Sequence, residues 1–439
     1  MKNKINIFWF RRDLRLDDNR GLYHALAAGK PVLPIFIFDS VILDKLENKA
    51  DSRVEFIHSA LSEIDVELKL SGSSLLTLYG NPIEVWKKLV SEYKIDGVFT
   101  NHDYEPYAIQ RDEEIKTLLE SHSIKLNTYK DQVIFEKNEI VKSDGRPYTV
   151  FTPYSKVWLV KLNEKDTKEH SVDGDLSNFY KFKSKILTIK EIGFKETEIA
   201  FPSKGIRTEI IKNYETTRDI PSLEGTSRLS VHLRFGTVSP RALVKHALKS
   251  NHVWLKELIW REFFMMILYH FPHSAQNSFH PKYEGIKWRN NEWEFDAWCR
   301  GETGYPIVDA GMRELNATGF MHNRVRMITA SFLCKDLLID WRWGERYFAE
   351  KLLDYELSSN AGNWQWAAGT GCDAAPYFRV FNPLLQQEKF DPELKYVKKW
   401  VPESASFGYT QPIVDHSIAR NRAIKTYKEA LEKFRKQTI

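Results

Sequence analysis

The first third of the chain alternates short β-rich runs with amphipathic helical stretches. Residues 52–70 repeat apolar side chains at helical spacing, and residues 82–93 place a proline just inside a helix start. The candidate strands are residues 5–10, 32–38, 74–79 and 97–101. Strands that alternate with helices predict an open, parallel, five-stranded α/β sheet of Rossmann-like form. We expect this domain to span residues 1–130.

No phosphate-binding loop of a common type accompanies the predicted sheet. The first candidate strand is not followed by GxGxxG, and GxxxxGK[ST] occurs nowhere in the chain. A conventional dinucleotide or P-loop site is therefore not expected.

The sequence changes character after about residue 200. Residues from about 160 to 200 are polar, rich in lysine and weakly periodic, which predicts a connector between domains, set at residues 131–200. Beyond them, long helical patterns replace the β-rich runs, namely residues 254–268, 307–315, 324–338 and 347–353. With 439 residues, the chain is long enough for two domains. We therefore predict a second, all-helical domain over residues 201–439.

Composition places the chain among soluble globular proteins, with 42% hydrophobic and 28% charged residues. The apolar run at the N-terminus is too short for a signal peptide, and no stretch approaches the roughly 18 apolar residues of a membrane-spanning helix. These features predict a cytoplasmic protein. The three cysteines lack CxxC spacing, which argues against both a disulfide framework and a zinc site.

Positive charge and tryptophan are concentrated in the second half. Residues 201–439 hold 34 Lys and Arg against 27 Asp and Glu, whereas residues 1–200 hold 30 against 32. Ten of the thirteen tryptophans lie beyond residue 250. This combination suits a nucleic acid and a planar cofactor. Composition alone favours a simpler interpretation, an aromatic helical core with Lys and Arg on its solvated face.

Motifs for metal-dependent or serine-dependent hydrolysis are missing. There is no HExxH, GxSxG or EF-hand loop, and His270 with His273 reads as a structural pair, so no metal is predicted. Five dense segments instead stand out: GTSRLS, WLKELIWREFF, TGYPIVDAGMREL, MHNRVRM and NWQWAAGTGCDAAPYFRVFNP. Together with WFRRDLRLDDN at residues 9–19, they resemble the photolyase and cryptochrome family. The resemblance is closest to the class I cyclobutane pyrimidine dimer photolyases and covers nearly the whole chain.

The resemblance implies that the helical domain binds FAD. Segment 226–230 would wrap its phosphates, since helix-start N–H groups, a hydroxyl and a cation all favour an anion. Arg326 and Asp354 would form a buried pair against the flavin ring, and Asn360, which cannot titrate, would face flavin N5 and favour the fully reduced anion. The implied cofactor-binding residues are Tyr214, Thr226, Ser227, Arg228, Leu229, Ser230, Trp254, Arg326, Asp354, Tyr355, Glu356 and Asn360.

One matched position departs from the family pattern. Glu356 stands where the family more often has Asp, and its extra methylene group changes one expected hydrogen bond to the flavin.

The resemblance also implies a lesion site and a reaction. Light-excited reduced FAD would pass an electron to a cyclobutane pyrimidine dimer flipped out of the DNA. Trp260 would pack against the dimer, and Glu257 would hydrogen-bond a thymine edge. The remaining lesion contacts, Asn323, Arg324 and Met327, include two positions where (6-4) photolyases carry histidines. The implied DNA-binding residues are Arg218, Glu257, Trp260, Arg261, Asn323, Arg324, Arg379 and Gln386.

Three tryptophans match a chain that carries electrons to the flavin during photoreduction: Trp364, Trp341 and Trp288. Trp343 and Trp366 are interpreted as packing residues or secondary routes. For a second, light-harvesting chromophore, Tyr107 and Ala108 replace the Asn-Glu pair of the folate-binding version. A deazaflavin, another flavin and no antenna at all remain open.

The expected partner is UV-damaged DNA, double- or single-stranded, and the expected state is a monomer with no membrane association. The alternatives within the family are a cryptochrome-type blue-light photoreceptor and a (6-4) photolyase. A redox flavoprotein that acts on small molecules is the alternative outside it. That assignment would leave Glu257 and Trp260 without a purpose.

Overall fold

The computed structural model describes residues 4–172 and 176–438. Contacts between residues divide the chain into two compact units, each assembled from several segments. The first unit comprises the residues up to 139 with 160–205 and 228–249, and the second comprises 140–159, 206–227 and the residues from 250 onward.

The first unit is built on a parallel sheet of five strands, as the sequence predicts, and the structure shows their order to be β3-β2-β1-β4-β5. The strands are β1 (Ile5–Phe10), β2 (Val32–Asp39), β3 (Leu76–Gly80), β4 (Ile95–Asn101) and β5 (Lys125–Tyr129). β1 and β2 are buried along their whole length, because helices cover both faces of a parallel sheet. β5, at the edge, is mostly polar and was not among the candidate strands.

Five helices connect the strands, and their starts follow the sequence closely. Asp51 accepts a hydrogen bond from the backbone of Arg53 at one helix start, and Asn81 caps the next, which has Pro82 in its first turn. The helices are α1 (Arg20–Ala27), α2 (Ser40–Leu43), α3 (Ser52–Leu70), α4 (Pro82–Glu92) and α5 (Pro106–Ser121).

The remainder of the chain is helical, and residues 201–438 contain no strand. α9 and nearly all of α10 belong to the first unit. The helices are α6 (Phe151–Lys161), α7 (Thr208–Lys212), α8 (Tyr214–Thr217), α9 (Ser230–Phe235), α10 (Pro240–Ser250), α11 (His252–His270), α12 (Glu292–Arg300), α13 (Pro306–Thr318), α14 (Asn323–Ser331), α15 (Trp341–Lys351), α16 (Leu357–Ala368), α17 (Pro383–Phe390), α18 (Lys395–Trp400) and α19 (His416–Thr438).

The helix predicted over residues 324–338 does not run straight through. α14 ends at Ser331, and one π-helical turn, Phe332–Asp336, follows it. Lys335 in this turn is buried, and its Nζ donates to the carbonyl oxygens of Ala368 and Tyr377 at 2.7 and 3.3 Å.

No helix within the described ranges combines the length and the apolar character that crossing a bilayer requires.

Candidate active site

A cavity lies between α14, α15 and α16 of the second unit. It brings together eight of the residues that the sequence singles out, from segments up to 41 positions apart along the chain. Those eight are Asn323, Arg326, Met327, Asp354, Tyr355, Glu356, Asn360 and Trp364. Predicted cofactor, lesion and electron-transfer positions thus meet around one space.

Arg326 and Asp354 form an ion pair at the wall of this cavity. The Arg326 Nη2 lies 3.0 and 3.2 Å from the two carboxylate oxygens, and its Nε donates to the carbonyl oxygen of Met321 at 2.7 Å. The Asp354 side chain is 8% exposed and that of Arg326 is 25% exposed, so little water screens the pair. The pair presents opposite charges at fixed positions to whatever fills the cavity.

Asn360 is held from behind by Glu345. Its Nδ2 donates to the Glu345 carbonyl oxygen at 3.0 Å and to Oε1 at 2.9 Å. Burial raises the pKa of the Glu345 carboxyl, while the hydrogen bond from Asn360 opposes the shift. With its nitrogen anchored in this way, the amide offers its oxygen to the cavity.

Glu356 has a local structural task. Its carboxylate accepts hydrogen bonds from the backbone N–H groups of Ser358 and Ser359 at 3.3 and 2.9 Å, and from the Ser358 hydroxyl at 2.5 Å. It therefore caps the N-terminus of α16. The carboxylate oxygens of Glu356 are thus directed at the start of α16. A contact between Glu356 and a flavin stays a prediction.

A second group of predicted residues forms a chain of alternating charges. Arg218 pairs with Glu257, and Arg324 pairs with Asp219 at 2.7 Å. The Arg324 guanidinium also lies 4.2 Å from the ring centroid of Phe390. Burial raises the pKa of Glu257, and the charge of Arg218 opposes that shift.

The two groups are joined through α14. The Nη1 of Arg324 lies 3.8 Å from the sulfur of Met327, and Met327 lines the cavity. Arg324, one of the charged residues, therefore contacts a residue that lines the same cavity as Asn360.

Trp260 is stacked between two phenylalanines. The Phe151 ring lies parallel to it with a centroid distance of 3.7 Å, and Phe264 lies on it at 5.4 Å. Trp260 is nevertheless half-buried. A base could reach the indole edge directly, whereas access to its face requires Phe151 to move.

The three predicted electron carriers belong to one aromatic core. Trp364 and Trp341 are buried at 2% and 1% exposure, and Trp288 packs against the same core while partly exposed. α15 and α16 approach closely because Gly344 has no side chain. A Cβ placed there would lie 2.1 Å from the Trp364 ring.

The other predicted site residues are not gathered around this cavity. Trp254 is buried in α11, Arg379 is exposed beside the Phe381 ring, and Gln386 lies in α17. The division between the two units falls within segment 226–230, between Ser227 and Arg228. Arg228 has a φ of +53°, an unusual left-handed conformation for a residue with a side chain.

Sequence reasoning missed several residues of the site. Asn363 lines the cavity one helical turn beyond Asn360, which helical spacing from Asn360 could have indicated. Trp366, interpreted from the sequence as a packing residue or secondary route, also lines the cavity. Asp219 and Phe151 had no such signal, because their partners are distant in the sequence. Trp298 was also missed. Its ring lies 6.1 Å from that of Trp364.

Two family models match the chain. Residues 6–171 match the model described as DNA photolyase, and residues 254–408 match the FAD binding domain of DNA photolyase. Deoxyribodipyrimidine photo-lyases from Agrobacterium fabrum and Escherichia coli are each 36% identical over 97% of this chain and 98% of their own length. The chain belongs to the DNA photolyase family.

Solved structures of this family share the fold. A bacterial class III photolyase from Agrobacterium tumefaciens superposes with a TM-score of 0.88 and 33% identity, covering 98% of both chains. An archaeal photolyase from Sulfolobus tokodaii, which holds two FAD molecules, gives a TM-score of 0.82 and 38% identity over 97% of this chain and 99% of its own.

The residues that line the cavity, rather than its volume of about 90 Å³, fit the flavin that the family model implies. A flavin needs a flat, largely apolar slot with polar groups at its edges, and here the aromatic and aliphatic walls carry the Arg326–Asp354 pair and the Asn360 amide. The second unit is the FAD-binding part of this photolyase-family chain.

Proposed function

We propose that this protein repairs cyclobutane pyrimidine dimers in DNA, with reduced FAD supplying, on excitation by blue light, the electron that opens the dimer and then returns. The observation that carries the proposal is the meeting of the Arg326–Asp354 pair, Asn360, Asn323 and Met327 around one cavity. The role proposed for each of these groups requires no acid–base catalysis by the protein.

Around the flavin, the protein holds charge in place. Arg326 compensates the negative charge of a reduced ring, and Asp354 fixes the orientation of Arg326. Asn360, tethered to Glu345, presents an amide oxygen that carries no transferable proton. This arrangement favours the fully reduced anion.

At the lesion, the same cavity offers residues that cannot titrate. Asn323 and Met327 line it, and neither is a proton donor of the kind that repair of a (6-4) product needs. A dimer that pairs and stacks poorly costs little to flip out of the duplex. This supports dimers as the substrate.

The charged chain beside the cavity suits the DNA backbone. Arg218 and Arg324 are neutralised by Glu257 and Asp219, so binding of DNA phosphates exchanges one anion for another. We propose that Arg261, Arg379 and Gln386 add further contacts and that the protein acts as a monomer.

The second chromophore stays a proposal. The hydroxyl of Tyr107 donates to Asp39 at 2.7 Å, at the position that differs from the folate-binding version. The archaeal relative holds two FAD molecules, which favours a second flavin among the alternatives.

The substrate preference can be tested with two lesions in the same oligonucleotide. Under blue light, the chemically reduced protein should restore a cyclobutane dimer and leave a (6-4) product unchanged. Repair of the (6-4) product would contradict the roles of Asn323 and Met327. Binding of both lesions without repair, in protein that retains reduced FAD, would move the chain to the photoreceptor class.

Glu257 gives a prediction that separates hydrogen bonding from charge. Glu257→Ala should lower the rate of dimer repair about tenfold or more, because a hydrogen bond to a charged group contributes about 1.5–3 kcal/mol. Glu257→Gln keeps a neutral donor and should lose less. The flavin-to-protein ratio should stay constant in both variants.

The pH profile of repair checks the same residue. Burial raises the pKa of Glu257, so the protonated, donating form persists to higher pH than for a free glutamic acid. Repair by the unaltered protein should therefore rise as pH falls through that pKa. The profile of Glu257→Gln should be flat over this range, and an identical profile in the two proteins would remove Glu257 from the reaction.

A further inference from the structure

The first unit contains a cavity that the proposed repair function does not use. It has a volume of about 520 Å³, within the roughly 300–1,000 Å³ typical of small-molecule pockets. Residues from five parts of the first unit line it, among them Arg20, His102, Tyr129, Lys130, Lys168 and His170.

The cavity occupies the position where parallel sheets bind ligands. Arg20 begins α1, His102 directly follows β4, and Tyr129 is the last residue of β5. All three therefore lie at the carboxyl edge of the sheet, on the side where β4 pairs with β1 and the strand order reverses. The first N–H groups of α1 are already hydrogen-bonded, those of Arg20, Gly21 and Leu22 to Asp131, Asn101 and Asn19, so the Arg20 side chain rather than the helix N-terminus is open to a ligand.

Arg20 is a half-buried cation in the cavity wall, and its guanidinium has no ion-pair partner among the described residues. Among residues 4–172 and 176–438, its half-buried guanidinium makes no hydrogen bond or ion pair, and its Nε is buried without an acceptor. Arg241, by contrast, pairs with Asp18 and Asp131. A guanidinium left in this way attracts an anion that can accept two hydrogen bonds.

The other charges around the cavity are largely compensated. Lys130 pairs with Glu139 at 2.6 Å, and Glu136 is held by His102 at 2.8 Å. Asp166 accepts from the backbone and side-chain N–H groups of Asn163. Hydrogen bonds do not remove the charges of Glu136 and Asp166, and the exposed Lys165 and Lys168 at the rim offset those two charges. The Arg20 guanidinium is then the positive charge left over in the lining.

Two histidines near Arg20 have lowered pKa values. Burial, together with the charges of Arg241 and Arg20, lowers the pKa of His170 to about 4, although Asp18 opposes the shift. Burial and Arg20 also lower the pKa of His24. Both imidazoles are therefore neutral at pH 7.

The wall next to Arg20 is aromatic. Tyr129 and His170 line the cavity. Outside the lining, the His24 ring stacks on Tyr129 with a centroid distance of 4.4 Å, and the Tyr23 ring lies 5.4 Å from that of His170. Rings of this kind accept a planar group by stacking. A guanidinium beside an aromatic wall thus selects a ligand with an anionic end and a ring.

We propose that this cavity binds a small phosphate monoester that carries a ring, of the size of a nucleoside monophosphate. The phosphate lies against the Arg20 guanidinium, with Lys165 and Lys168 in the same lining, and the ring packs against Tyr129 and His170.

The test is calorimetric titration of the full-length, FAD-loaded protein with adenosine monophosphate. Loading with FAD keeps the nucleotide out of the flavin site, and the flavin absorbance should not change. One nucleotide should bind per chain, and adenosine or inorganic phosphate alone should bind more weakly. Adenosine that binds as tightly as its phosphate, or binding of undamaged oligothymidylate in competition with the nucleotide, would overturn the proposal.

Arg20→Met should weaken nucleotide binding about tenfold or more, since a charge-assisted hydrogen bond is lost. The matched control is Lys87→Met, an exposed lysine on α4 paired with Glu84. Should Arg20→Met fail to fold, the double variant Lys165→Met, Lys168→Met at the exposed rim carries the same expectation. The proposed site is contradicted if the variant that folds binds adenosine monophosphate with unchanged affinity, or if the unaltered protein does not bind it.

Discussion

Replacing Arg326 by Met should leave the purified protein largely without FAD. The Asp354 carboxylate, 8% exposed, would lose its cation and face the negative edge of a reduced flavin. Removing one partner of a buried pair costs about 3–5 kcal/mol, which at the lower end is a roughly hundredfold loss of affinity. The flavin-to-protein ratio after dialysis measures this directly.

Two further variants separate charge from packing. Arg326→Met combined with Asp354→Asn removes both charges and should recover part of the bound FAD. Arg300→Met is the matched control, because Arg300 and Glu302 form a pair whose side chains are 54% and 47% exposed. Full FAD content in Arg326→Met alone would show that the pair does not contribute to the flavin site.

Replacing Trp364 by Phe should nearly abolish photoreduction of oxidised FAD. Of the three predicted carriers, Trp364 is the one that lines the cavity, so the predicted chain passes electrons from Trp288 and Trp341 to the flavin through Trp364. Trp366, the possible secondary route, also lines the cavity. Phenylalanine fills most of the same space but is far harder to oxidise. The measurement is the bleaching of oxidised flavin under blue light with an external reductant.

The neighbouring tryptophans serve as controls for this effect. Trp293→Phe changes a residue that is 62% exposed and should leave photoreduction unchanged. Trp298→Phe tests the ring that lies 6.1 Å from Trp364. If Trp298→Phe slows photoreduction as strongly as Trp341→Phe, electrons take a branch that the sequence did not predict. Dimer repair by the chemically reduced Trp364→Phe variant should remain close to normal. Rapid photoreduction in that variant would refute the predicted electron-transfer role of the three tryptophans.

The sequence predicted the parallel sheet and the helices between its strands well because their signals are local. Strand and helix starts depend on nearby residues such as Asp51, Asn81 and Pro82, and the structure places elements there. β5 was missed because an edge strand needs no apolar face on both sides, and KLNTY is mostly polar.

Site residues could be predicted from the sequence only where a recognisable motif lies within a single helix. Asn323, Arg326 and Met327 share one helix and a recognisable segment, and they line one cavity. Contacts between distant residues were not predictable, as with Asp219 on Arg324 or Glu345 behind Asn360. The capping by Glu356 shows the same limit, since the sequence revealed an extra methylene group but not where the carboxylate would point.

The most direct test of the proposed function is the loss of cyclobutane dimers from UV-irradiated oligothymidylate by the chemically reduced protein, in blue light and in the dark. The account predicts repair in light alone, with little repair by the FAD-depleted Arg326→Met variant. Equal loss in the dark, or no loss in light despite bound reduced FAD, would contradict it.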